Sequence, residues 1–249
     1  MFHDEFSSFR RYDPATKQGV WDTTFSWGRS NPGAKDASLY VDPSFRLPDG
    51  SNPDLDPFTV TKDGLDITAS PAPAAIRAAY PTLKYVSGVM TTRHSFAQTY
   101  GYFEASMKLP AGQGLWPAFW LLPESYYSYE KTNPEIDIME VLEQAPWRVY
   151  QTTHSPAGIQ QQIVRTDIDS STDFHRYGIA WNAGAITFYI DGRPSGTVPN
   201  VSDRKMFPVL NLQVGAPGSW GGIPYPSTVF PSHMIVKDVR VYQERGRCT

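Results

Sequence analysis

The chain carries a single cysteine, Cys248, beside its C-terminus. An intrachain disulfide and a cysteine-built metal cluster are therefore excluded. Charge is also scarce: 19% of residues are charged, the net charge is −3, and Lys and Arg do not cluster. A nucleic-acid partner would require a basic face, so none is expected. The longest apolar run, WPAFWLLP at 116–123, is far too short to span a bilayer, and no membrane partner is expected. MFHDEFSSFR lacks a basic stretch followed by an apolar core, so no signal peptide is read. Either the protein stays inside the cell, or it is secreted or periplasmic with a leader that is not present in this chain, and the latter is the expectation. There is no G-x-S-x-G elbow, no H-E-x-x-H and no phosphate-binding glycine loop. The five histidines (3, 94, 154, 175 and 233) are dispersed.

Aromatics are plentiful, with 7 Trp, 14 Tyr and 13 Phe, and 22 Pro and 19 Gly punctuate the whole length. Between these breaks the hydrophobic period is two. GLDITAS (64–70), SGVMTTRHSF (87–96), GYFEASMKLP (101–110), GAITFYIDG (184–192) and MIVKDVRVYQ (234–243) alternate apolar and polar residues between turn formers. In the third of these, Phe103, Ala105, Met107 and Leu109 are expected to face inward. WNAGAITFYIDG reads as a hairpin turning near Asn182–Gly184. Residues 72–80 allow a turn or two of helix, and the turn formers of 29–57 are expected to wrap the surface. The reading is a single domain over 1–249, all-β, a jelly-roll sandwich of two antiparallel sheets, acting as a monomer.

One apolar stretch, NPEIDIMEVLE (133–143), carries Glu135, Asp137 and Glu140 ahead of a closing Glu143. On a regular strand Glu135 and Asp137 share a face and Glu140 points the other way. Asn133 and Pro134 could open a helix, but the apolar positions would then cover more than half its circumference. A bulge at Ile138–Met139 resolves the conflict. Ile136, Ile138, Met139 and Val141 then face one layer, and the three acids the other. Such a row of acids fits a cation site, a solvated face or glycoside hydrolysis. The last uses two carboxyl groups, one to attack or activate water and one to protonate the leaving oxygen. Trp116 and Trp120 in the preceding GQGLWPAFWLLP share a strand face suited either to stacking on sugar rings or to packing in a core, whereas Phe119, Leu121 and Leu122 read as core. His154, in QTTHSP, would sit beside the same cleft if its strand follows the acidic one.

EIDIME resembles the E-x-D-x-x-E signature of glycoside hydrolase family 16 in its bulged, laminarinase-like form, with Met139 the extra residue. The similarity extends, in order, through HDEF (3–6), DGLDITA (63–69), residues 87–123, TTHS (152–155), residues 174–192, LNLQVG (210–215) and residues 230–243. This resemblance implies a jelly roll with a long concave cleft and endo-acting, retaining hydrolysis of a β-1,3 or mixed β-1,3/1,4-glucan. It implies Glu135 as nucleophile, Glu140 as general acid/base and Asp137 as the assisting carboxylate. It implies Trp116, Trp120, Arg93, His154, Asn211 and Trp220 as substrate contacts. No cofactor is implied for catalysis, but a structural calcium on the convex side would be held by the carbonyls of Glu5 and Gly64 with Asp238. There are departures. NLQVGAPGSWGG brings Gln213 and an insertion before Trp220, and PESYYSYEKTN (123–133) brings three tyrosines to the acidic strand. These features are closer to bacterial exopolysaccharide-cleaving, succinoglycan-depolymerase-like members. The rivals are a sugar-binding module of the same fold without catalysis, and transglycosylation through the same intermediate.

Overall fold

The computed structural model describes residues 1–124, 133–155, 158–165 and 169–243. The strands, in chain order, are β1 (Phe2–Asp4), β2 (Ser38–Tyr40), β3 (Phe58–Thr61), β4 (Gly64–Pro71), β5 (Tyr85–Ser87), β6 (Val89–Thr91), β7 (Gly101–Lys108) and β8 (Leu115–Pro123). They continue with β9 (Glu135–Val141), β10 (Arg148–Ser155), β11 (Gly158–Arg165), β12 (His175–Trp181), β13 (Ala185–Ile190), β14 (Arg193–Pro199), β15 (Met206–Val214) and β16 (Ser232–Tyr242). A helix, α1 (Ala74–Ala79), and a 3-10 turn, Pro32–Ala34, are the helical elements among the described residues. Cys248 and most of the tyrosine-rich 123–133 segment lie outside the described residues.

The strands form two sheets. Ten strands form one, in the order β14-β13-β12-β7-β16-β4-β5-β2, with β1 beside β16 and β3 beside β4. The other runs β11-β10-β9-β8-β15-β6. This is the expected all-β jelly roll with one correction: β2 pairs β5 in parallel, so the larger sheet is not wholly antiparallel. The expected hairpin is β12–β13, with Trp181 opposite Ile186. The SGVMTTRHSF segment is not one strand; it is broken into the end of β5, β6 and a turn. The inward residues of β7 (Phe103, Ala105, Met107) meet those of β8 (Leu115, Phe119, Leu121) and β9 (Ile136, Ile138, Met139, Val141) in one buried core. Burial of each such side chain contributes about 1.5–3 kcal/mol, the term that fixes which face of each strand turns inward.

Two expectations change. Residues 29–57 do not simply wrap the surface: residues 36–42 are buried, and Tyr40 packs on the outer face of the six-stranded sheet. Leu122 is buried there too, with Phe25, Tyr40, Trp120, Phe207 and Val209, rather than between the sheets. The loop carrying Phe25 and the strand β2 that ends in Tyr40 thus cover one end of that face. At β15 the covered residues are Phe207 and Val209, while Asn211 and Gln213, farther along the same face, line an open cavity. The site begins where the apolar cover ends.

Candidate active site

The bulge is present. Phe119 pairs with Met139 and the next residue, Trp120, pairs with Asp137, so Ile138 and Met139 share one step of the ladder. On the other side Tyr150 faces Glu140 and Thr152 faces Asp137, again with a register shift between them. Ile138 and Met139 are both fully buried in the core. Without the extra residue, Glu140 would point into that core, and burying an unpaired carboxylate costs several kcal/mol. With it, Glu135, Asp137 and Glu140 line a cavity of about 430 Å³ on the outer face of the six-stranded sheet.

Each acid has a distinct neighbourhood. His154, opposite Glu135 in the ladder, places Nε2 2.8 Å from Asp137 Oδ2 and 3.8 Å from Glu135 Oε1. Asp137 and Glu135 present oxygens within 4.8 Å of one another. Trp116 donates its indole N–H to Glu140 Oε1 at 3.0 Å. Burial lifts Glu135 well above the usual carboxylate range; Asp137's charge adds to the rise and His154 opposes it. Burial likewise lifts Glu140 well up, reinforced by Asp137 and Glu135 and opposed by the Trp116 hydrogen bond. For His154, burial alone would depress the imidazole, but the Asp137 hydrogen bond and the charges of Asp137 and Glu135 prevail and push it up to about 9. Glu135 and Glu140 therefore both hold a proton more firmly than an ordinary carboxylate. His154 is the one cation within 4.0 Å of these acids among the described residues, and it lies on the Glu135 side. Glu135, Asp137 and His154 also present donor atoms within 4.8 Å of one another, a spacing that a metal ion could use. The imidazolium already supplies positive charge at that point.

The remaining expected residues separate into groups. Trp116, Trp120, His154, Asn211 and Trp220 all line the cavity. Trp220 is 44% exposed and meets Trp116 and Tyr150 edge-on, with centroids 5.3 and 4.5 Å away. Trp120 is largely framework: it is buried, packs near Phe25 and Trp27, and donates to Asn211 Oδ1 at 2.8 Å. Arg93 does not line the cavity; its guanidinium binds Asp22 at 2.6 Å and Thr24 at 3.1 Å. Residues missed by sequence reasoning are Thr152 on β10 and, from loops, Asn31, Gly33, Ala34, Lys35 and Gly218. Thr152 carries a signal, since it shares strand parity with His154. The loop residues carry none, because their turn chemistry does not specify which sheet they cover.

On the other sheet, Glu5, Gly64 and Asp238 are brought together around a second cavity of about 410 Å³. Gly64 has φ +131, and a Cβ there would sit 2.3 Å from the Val236 carbonyl oxygen, so only glycine fits. Asp238 is buried, and its Oδ1 accepts no hydrogen bond although Arg240 Nε is 3.0 Å away. The carboxylate of this cavity thus already faces the Arg240 guanidinium, and the Gly64 carbonyl accepts the Thr61 hydroxyl at 3.0 Å, so a hard, oxygen-seeking cation would have to displace both partners.

A jelly roll with a carboxylate triad and tryptophans on the open face of one sheet has the architecture of a glycoside hydrolase. The sequence model for glycosyl hydrolases family 16 matches residues 56–229, and the chain belongs to that family. It is 35% identical to the endo-1,3-1,4-beta-glycanase EglC of Rhizobium meliloti (strain 1021), over 97% of this chain and 51% of that protein. It is 34% identical to the endo-1,3-1,4-beta-glycanase ExsH of the same organism, with the same two shares. The chain thus spans about half the length of these relatives. Among solved structures, the laminarinase catalytic domain of Thermotoga maritima MSB8 superposes with a TM-score of 0.82 at 28% identity, over 98% of each chain.

Proposed function

We propose that the chain is a retaining endo-β-glycanase that hydrolyses internal β-1,3 or mixed β-1,3/1,4 bonds of a glucan-type polysaccharide. The observation that carries this reading is the bulged strand, which puts Glu135, Asp137 and Glu140 on one face of an open cavity. Two carboxyl groups in unlike environments are the requirement for acid and nucleophile to coexist at one pH. His154, 3.8 Å from Glu135, favours its ionised form, whereas Glu140 has no cation within that range among the described residues. Glu135 is thereby the nucleophile and Glu140 the proton donor.

In the first step a Glu135 oxygen attacks the anomeric carbon as the glycosidic C–O bond breaks. The departing oxygen takes the Glu140 proton, leaving a glycosyl ester on Glu135. In the second, Glu140 removes a proton from water, the water oxygen attacks the anomeric carbon, and Glu135 leaves as carboxylate. Asp137, bonded to His154 and adjacent to Glu135, is the positioning carboxylate between the nucleophile and the cation. Trp116 and Trp220 offer the ring faces for sugar stacking, and Asn211 and Gln213 the amides for hydroxyls.

The departures at Gln213 and before Trp220 support a second reading of the substrate, a bacterial exopolysaccharide of the same linkage types. A polymer of this kind is met outside the cytoplasmic membrane, which supports a secreted or periplasmic enzyme. The second cavity supports a structural calcium held by Asp238 and the carbonyls of Glu5 and Gly64, joining β1, β4 and β16. Glu135→Gln should abolish release of reducing ends from laminarin and lichenan while the variant keeps its Tm. NMR of the first wild-type products should show the β-anomer. Appreciable turnover by the variant, or an α-anomer formed first, would sink the assignment.

A further inference from the structure

The cavity holds one cation that the hydrolytic mechanism does not use. Lys35 is the sole Lys or Arg among its lining residues. Its side chain is exposed, and no carboxylate lies within 4.0 Å of its ammonium among the described residues. The adjacent Asp36 is turned away and buried, accepting the Ser38 N–H at 2.7 Å. The three cavity acids are occupied with His154, Trp116 and one another.

The position is built to hold this side chain. Lys35 ends the Pro32–Ala34 turn with φ 51, a left-handed conformation in which Gly or Asn is favoured over Lys. Its loop is clamped to the end of β15 and the segment that follows. Ala216 N–H donates to the Lys35 carbonyl at 2.9 Å, Ala37 N–H to Val214 O at 2.8 Å, and Gln213 Nε2 to Ala34 O at 3.3 Å. Its stem and ammonium lie along Gly218, where a Cβ would come within 2.8 Å of Nζ. Gly218 belongs to the insertion before Trp220, and Gln213 is the other departure noted in the sequence. Both departures therefore meet at Lys35. They form a corner that presents a point charge to the cavity.

Elsewhere the cavity is lined by the three acids and by His154, whose ring is held by Asp137. A neutral glucan would give an unpaired ammonium nothing that an amide could not offer. We infer that Lys35, seated on Gly218, binds an anionic substituent of the polysaccharide, a carboxylate or a sulfate ester carried on a sugar in the cleft. Lysine is a compact charge with three rotatable donors and accepts either group. This deepens the glycanase reading and rests on it for the sugar backbone.

The test uses calorimetric binding to the Glu135→Gln protein, so that it does not depend on turnover. The ligands are laminari-oligosaccharides in neutral, carboxymethylated and sulfated forms. The acidic forms should bind about three- to tenfold tighter than the neutral one, the scale of a partly solvated charged hydrogen bond. Adding Lys35→Met should remove that preference, Lys35→Arg should keep most of it, and raised ionic strength should erode it. The carboxylated and sulfated arms tell which acid is preferred. Equal affinity for neutral and acidic forms, or a preference that survives Lys35→Met, overturns the inference. Wild-type protein that hydrolyses no glucan while this preference holds would instead overturn the glycanase reading alone.

Discussion

His154 is the residue whose replacement says most about how the three acids divide their work. Unit charges 3.8 Å apart, the separation of His154 Nε2 and Glu135 Oε1, attract by about 4 kcal/mol at an effective dielectric of about 20. The side chains are 33% and 20% exposed, so solvent screens much of this, leaving about 1–2 kcal/mol. That is roughly one pH unit. The sign follows from the chemistry: the imidazolium favours the Glu135 carboxylate, so its loss makes Glu135 harder to ionise. His154→Gln should move the acidic limb of the kcat/KM–pH profile upward by about one unit. The alkaline limb, governed by Glu140, should move less, because Glu140 is not an ion-pair partner of His154. The assay is initial-rate hydrolysis of laminarin or lichenan from pH 4 to 10. An acidic limb that stays in place, or falls, refutes His154 as the group that sets Glu135's ionisation.

Trp116→Phe removes the indole N–H that stabilises the Glu140 anion, so the alkaline limb of the same profile should rise, by about one unit or less; an unmoved limb would count against that hydrogen bond. Glu143, just after β9, is 2% exposed with neither oxygen hydrogen-bonded among the described residues, and burial raises it well above the usual range. A raised acid holds its proton longer in the folded state, so its contribution falls as pH rises above the unfolded value of about 4.3, by up to about 1.4 kcal/mol per unit. Glu143→Gln should therefore flatten the decline of Tm between pH 5 and 7, and parallel wild-type and variant curves would exclude this role. Chelation with EDTA should lower the Tm by several degrees, and added calcium should restore it through the mass action of a bound ion; an Asp238→Asn variant should show neither response.

Much of this molecule is legible in its alternating strands. Ile136, Ile138, Met139 and Val141 can share one face only if a residue is added, and the observed register puts the bulge there. A local apolar count sufficed because the cost of burying Glu140 is local. Leu122 and Trp120 were harder, since both faces of β8 are covered and parity alone does not reveal which cover is loop. Arg93 was expected in the cleft, yet Asp22, far away in sequence, holds it. Lys35 carried no signal at all, because its place follows from a loop folding over β15. Glu143 closes the same acidic stretch and was passed over. It lies beyond the bulge, in the segment after the strand, where period-two reasoning no longer applies.

In the proposed mechanism a carboxylate oxygen of Glu135 is the atom that bonds to the sugar. Incubation with a 2-deoxy-2-fluoro β-laminaribiosyl fluoride should trap the glycosyl ester, because the fluorine slows its breakdown more than it prevents its formation. Peptide mass spectrometry should then find one added disaccharide on the peptide containing Glu135, with fragmentation placing it on that residue. A label on Glu140 or Asp137, or hydrolysis of substrate with no trapped ester at any time, would contradict it.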